Sequence, residues 1–273
     1  HGLRVQELYG RPILNSFHGW WSIGVVCGGF IGSAARQAGI PVWVQCIAAT
    51  VVFGGMSLGA KTLLLPGLDH DPQAERSRQQ RRRHLSAGTV VRLAALGLLG
   101  ASAGLMEDTG STWGAIYLDR QFEVIPFVAG MAFVGLQGAQ LIGRFTGDAL
   151  VSRIGPRPAV VQGGIIAFLG MGLSLIWPSP TTAILGFACV GWGVATAIPS
   201  AMHAADELPD MNHGDGLMIV TWMMRIGFFA GPPLIGALSE ATDLRLALWA
   251  VPAFAVVILV LSPSLGRSFG GRR

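Results

Sequence analysis

Apolar residues run along this chain in long stretches rather than alternating with polar ones. Eight segments of roughly 18–28 mostly uncharged residues stand out, at 13–35, 42–64, 91–118, 125–145, 159–177, 182–205, 216–238 and 244–261. At 1.5 Å per residue, a helix of that length crosses a hydrocarbon layer of about 30 Å. The pattern therefore predicts an all-α, polytopic membrane protein with about eight transmembrane helices.

Charge fixes how those helices would be threaded. Numbering the connections alternately, one side collects fifteen Lys and Arg, from Arg4 and Arg11 through Lys61, Arg81, Arg82 and Arg83 to Arg272 and Arg273, while the other has only Arg36, Arg120 and Arg245. An excess of this kind marks the cytoplasmic face. Both ends of the chain are then expected in the cytoplasm, and the cell (plasma or inner) membrane is the expected location.

Composition agrees. Hydrophobic residues make up 51% and charged residues 12%, against about 25% charged in a typical soluble domain. The lipid bilayer is thus the first expected partner, and the basic pI reflects loop asymmetry rather than a nucleic-acid partner. The 39 glycines suit helices that must approach closely without a hydrophobic force between them. Cys27, Cys46 and Cys189 have no C-x-x-C spacing and imply no disulfide framework or zinc site. The sequence calls for no cofactor and no metal.

The chain divides at its longest polar interruption. Residues 1–65 carry two helices, 66–88 form a linker with the basic run 81–83, and 89–273 carry six more. Trp20-Trp21-Ser22-Ile23-Gly24-Val25-Val26-Cys27-Gly28 aligns with Met223-Met224-Arg225-Ile226-Gly227-Phe228-Phe229-Ala230-Gly231 at an offset of 203 residues. Both carry Ile-Gly-x-x-x-Gly, and each is followed by one further span. The first two helices read as a second copy of the last two, as in transporters built from parallel repeats. Repeat symmetry, with the opening His1, predicts an N-terminally truncated chain whose intact form has twelve helices and is monomeric.

Several residues resist a purely structural reading. Arg225 lies towards the middle of an apolar span, where a cation costs at least about 2.5–3.5 kcal/mol unless it meets water or a counter-charge. It is expected to bind substrate or to pair with Glu107 or Asp108. Those acids interrupt the third span within Met106-Glu107-Asp108-Thr109-Gly110-Ser111-Thr112-Trp113. They suggest a helix opened onto a water-filled cavity, or else a helix ending near Met106, with Glu107 preferred over Asp108 as carrier of a coupling proton. Trp21, Trp113, Trp192 and Trp222, with Asn15, Gln137 and Gln140, would suit a sugar-like ligand by stacking and hydrogen bonding. Gly100-Ala101-Ser102-Ala103-Gly104 satisfies the nucleophile-elbow pattern but falls in an apolar helix, where small residues serve packing. No phosphate-binding G-x-x-x-x-G-K motif occurs.

The segment from Arg11 through Asn15, Trp20 and Trp21 to Gly24 resembles the start of the fifth helix of major facilitator superfamily transporters. Their branch around fucose permease and the rhizopine-locus membrane proteins is the most similar. Gly231-Pro232-Pro233-Leu234-Ile235-Gly236 is similar to that superfamily's eleventh-helix motif. The stretch holding Gly143, Arg144, Gly147, Asp148, Arg153, Gly155 and Arg157 is similar to its cytoplasmic loop between helices eight and nine. Ser152 stands where that loop usually has an acid, so Asp148, one turn earlier, is the candidate partner for Arg153. The resemblance implies a major facilitator-type bundle, helices five to twelve. It implies a secondary transporter of a small polar solute, sugar- or polyol-like, coupled to an ion, with protons first. Gly24, Gly28, Gly227, Gly231, Pro232, Pro233 and Gly236 would allow re-packable helix contacts. The proton-handling acids of fucose permease relatives lie in helices one and four, which this chain lacks. Against this stand a drug or metabolite exporter of the same superfamily, a non-transporting membrane protein or sensor, and a membrane-embedded hydrolase using Ser102.

Overall fold

The structure, a computed structural model, describes residues 14–64, 85–211 and 214–266, with side chains from Trp20 onward. All regular structure among these residues is helical: α1 Leu14–Gln37, α2 Val42–Ala60, α3 Ala87–Phe122, α4 Pro126–Ile154, α5 Pro156–Ile176, α6 Pro180–Ala195, α7 Ala197–Asp206, α8 Asp215–Ala241, α9 Leu244–Ala247 and α10 Ala250–Leu261. Seven stretches are long and apolar enough to cross a membrane: Val42–Leu63, Ala87–Phe122, Pro126–Ile154, Pro156–Ile176, α6 with α7, Asp215–Ala241 and Leu244–Leu265. With 24 residues, α1 has the length but is not among those seven. Most of the linker 66–88, with Arg81, Arg82 and Arg83, lies outside the described residues, as does the side chain of Asn15.

Local chemistry sets the boundaries. The Ser86 hydroxyl accepts from the Thr89 backbone N–H at 3.2 Å and caps α3. Prolines at 126, 156 and 180 open three helices, where a missing N–H removes only a donor that would lack a partner. Between α4 and α5 stands a single residue, Gly155, at φ 88, which a side chain would strain. The expected sixth span, 182–205, is broken at Thr196 into α6 and α7. Pro199 cannot donate to the Ala195 carbonyl, so the helix axis must yield there.

At the centre stands α3, packed against α8, α4, α10, α7 and α6, with α6 wedged between α4 and α5. Leu96, Leu99, Met106, Leu136, Phe187 and Ile258 are buried in the shared core. Elsewhere, large apolar side chains point outwards: Val42, Trp43, Phe53 and Leu63 around α2, Phe229 on α8, Val260 on α10. Such a surface has no place in water, and lipid is its natural solvent.

Small residues let the helices meet at backbone distance. A Cβ on Gly227 would run into the Ala101 carbonyl of α3, and one on Gly191 into the Leu136 carbonyl of α4. Gly231 packs on Leu105, and Gly236 on the Trp113 ring at 3.5 Å. Gly24 and Gly28 have no atom within 4 Å of their Cβ positions, so among the described residues it is Gly29, against Phe133, that brings α1 onto α4.

Three expectations need correcting. The third span does not end near Met106: α3 runs unbroken for 36 residues, with Gly110 and Gly114 packed against Leu136, Phe187 and Ala132. Most of the segment from Gly143 to Arg157 is not a loop. It continues α4 for nine residues beyond the expected end, and Gly143 and Gly147 seat that extension on Ala195 and Thr196. Asp148 is exposed and forms no ion pair among the described residues, with Arg153 or any other.

Candidate functional site

Neighbours on a helix point about 100° apart, and Glu107 and Asp108 accordingly face different partners. The Glu107 side chain is 8% exposed, and its Oε1 lies 3.8 Å from Nη2 of Arg144 on α4. Arg144 reaches further: its Nη1 donates to the Ser22 hydroxyl at 3.2 Å, and its guanidinium carbon lies 5.8 Å from the centre of a Trp21 ring. One cation thus ties α3, α4 and α1 together. Ten residues, about 15 Å along the helix, separate it from the end of α4 at Ile154.

Polar groups extend the cluster along α3 and α4. Gln137 donates to the Ser111 hydroxyl at 3.2 Å, and that hydroxyl donates to the Glu107 carbonyl at 2.9 Å. Gln140 is 1% exposed and lies beside the Glu107 carboxylate. Both ends of its amide, and Glu107 Oε2, are buried without a hydrogen-bond partner of proper geometry. Buried polar atoms are seldom left so, and here three of them surround one charge pair. Trp192 of α6 packs beside Gly143, next to Arg144.

Ser111 also opens onto a cleft of about 250 Å³ between α1, α3 and α4. Gly28, Gly29, Gly32 and Ser33 form one wall, Ala115, Gly130 and Phe133 the others. The cleft is below the range of about 300–1,000 Å³ typical of drug-sized ligands, and suits a small one.

Asp108 turns the other way, towards α8. Its Oδ2 is buried and unpartnered, 3.6 Å from where a Gly231 Cβ would stand. The indole N–H of Trp113 is likewise buried without an acceptor.

The remaining sequence candidates fall apart from this cluster. Arg225 is exposed and makes no ion pair among the described residues, so the expected pairing with Glu107 or Asp108 is not formed. It lies two residues before Gly227, which abuts α3, and is therefore about 200° round α8 from that contact. Trp222 is also exposed on α8. Ser102 donates to the Leu98 carbonyl at 2.8 Å within α3, and no base is placed to activate it. Sequence reasoning put Arg144 at the edge of a loop and missed it as Glu107's partner. The signal was present: Gln137, Gln140 and Arg144 recur at spacings of three and four, which puts them on one helix face.

No solved structure matches the chain. An uncharacterized transporter of Sinorhizobium fredii, y4wD, is 30% identical over 96% of this chain and 67% of its own length. A membrane protein of Rhizobium meliloti, MosC, is 27% identical over 100% of this chain and 65% of its own length. An uncharacterized MFS-type transporter of Yersinia pestis is 26% identical over 95% and 65%. The chain thus spans about two thirds of the length of these relatives. Residues 96–266, from mid-α3 to the end of the described helices, match the model of the Major Facilitator Superfamily, and the chain belongs to that family of multi-pass membrane transporters.

Proposed function

We propose that this chain forms the larger part of a secondary active transporter that moves a small polar solute across the cell membrane by alternating access. Its energy comes from an ion gradient, with protons the first candidate, and both ends of the chain lie in the cytoplasm. Residues 1–65 complete an N-terminal bundle, and residues 89–273 make the six-helix C-terminal one. The observation that carries this reading is the pair between buried Glu107 and half-buried Arg144, and its reach to Trp21 and Ser22 of α1. A charge pair inside an apolar bundle is costly to keep and marks a transport pathway. Gln137, Gln140 and Ser111 supply both donors and acceptors, and Trp21 a stacking face, which together suit the hydroxyl groups of a sugar or polyol.

Arg144 takes the role that the sequence reserved for Arg225. It holds α1 while Glu107 holds it, and a solute entering the cleft competes for the same guanidinium. No bond-breaking chemistry is asked of the site.

Uptake by the full-length protein in vesicles tests this, screened over monosaccharides and polyols with and without a pH gradient. Arg144→Ala is expected to abolish uptake, by at least about 100-fold, in protein that still inserts into the membrane. Near-normal uptake by that variant removes the pair from the pathway.

A further inference from the structure

We propose that Asp108 seats a small monovalent cation, a proton or sodium, against the proline-bearing stretch of α8, at a site separate from the Glu107–Arg144 pair. The proposal rests on the transporter reading above, whose coupling ion it places. It stands on the two sides of α3 doing different things. Glu107 already has a cation in Arg144. Asp108, one residue on, has a buried oxygen with none.

Among the described residues, no side-chain cation serves Asp108 from the helices around it. Between Arg225 and Glu240, α8 carries no charged residue, and Arg225 points away from α3. Neither α6 nor α10 has a charged residue. The charged groups of α4 are Arg144, engaged by Glu107, with Asp148 and Arg153, both exposed, and α7 contributes His203 and Asp206 at its far end.

What α8 does present is oxygen. Pro232 and Pro233 sit inside the helix and have no N–H, so the carbonyls of Phe228 and Phe229 lose their partners four residues on. The Phe229 side chain is 84% exposed, on the outer face. Phe228 lies nearer α3, its ring 3.3 Å from the Cβ position of Gly104, one turn before Asp108. Gly231, lacking a Cβ, lets the Asp108 carboxylate come up to this stretch, and the Thr112 hydroxyl lies beside it. A carboxylate cannot hydrogen-bond to a carbonyl. A proton on the acid, or a sodium ion between carboxylate, hydroxyl and carbonyl, satisfies them together.

The test reads binding alone, on the full-length protein in detergent, with Trp113, five residues along α3 and packed on Gly236 of α8, as fluorescence reporter and Trp113→Phe as its control. Sodium chloride is titrated against choline chloride at fixed pH, and pH is then titrated in choline chloride. A saturable response in wild type and in Glu107→Gln, with an apparent affinity at least tenfold weaker in Asp108→Asn, supports the site. Response to sodium identifies sodium, and response to pH alone identifies the proton. Gly231→Val, checked for folding by its elution, is expected to weaken the response like Asp108→Asn, since its side chain fills the approach. The proposal is overturned if Asp108→Asn titrates as wild type does, if Glu107→Gln loses the response equally, or if wild type shows none. A protein with the response but without solute uptake would sink the transport reading and leave this site standing.

Discussion

Arg144 and Glu107 are worth more to each other than to the fold. Taking two charges out of water costs several kcal/mol each, and their attraction repays it only while both are present. The 3.8 Å separation and the unpartnered Glu107 Oε2 mean that the repayment is partial. Arg144→Gln alone, which strands a carboxylate, is therefore expected to destabilise the bundle by about 3–5 kcal/mol. The double variant Glu107→Gln with Arg144→Gln should recover most of that loss, seen as a thermal midpoint close to wild type in detergent. Uptake should stay absent in both. A double variant as unstable as Arg144→Gln would mean that the pair is structural, and its place in the transport pathway would go with it.

Helices show which parts of the fold could be read from residue order. Long uncharged runs marked every described span to within a few residues at most ends, because a bilayer demands length and apolarity that few other environments do. The extension of α4 to Ile154 was hidden, since Arg144 and Asp148 look like the end of a span when read singly. A helix break fell three residues before Pro199, at Thr196, yet α8 ran on through Pro232 and Pro233. Of the site, Glu107, Gln137, Gln140 and Trp21 were legible as polar or aromatic residues in apolar spans. Which acid met which cation was not, because it depends on helix rotation, which one chain's residue order does not contain. The glycine contacts turn that rotation into a prediction. Gly227→Ala and Gly191→Ala force a methyl into the backbone carbonyls of Ala101 and Leu136, so each should cost about 1–3 kcal/mol of stability. Gly236→Ala, whose Cβ would meet only the Trp113 ring at 3.5 Å, should stay within about 0.5 kcal/mol of wild type. Thermal midpoints of the three variants check this; equal effects would put α8 in another register on α3.

On the scale of the whole molecule, α1 lies on α4 and α3 across what the internal repeat makes the boundary between two bundles. At the Gln37 end three contacts hold it there. Arg36 Nη2 meets Asp119 Oδ2 at 3.4 Å, the Phe127 backbone N–H donates to the Gln37 side chain at 3.2 Å, and Ser33 packs on Gly130. The ion pair is about half exposed, so it is worth at most about 1 kcal/mol and can be made and broken on every cycle. In the proposed rocking of one bundle against the other, this end has to part whenever the cleft faces it. Single replacement, Arg36→Ala, should therefore change uptake less than about threefold. Covalent closure should not be tolerated: Arg36→Cys with Asp119→Cys, joined by a short cleavable bis-thiol reagent in a background without Cys27, Cys46 and Cys189, is expected to bring uptake to background and to release it on reduction. Undiminished uptake by the joined protein would show that α1 travels with α3 and α4 through the cycle, and the boundary drawn after residue 65 would have to move to the other side of α1.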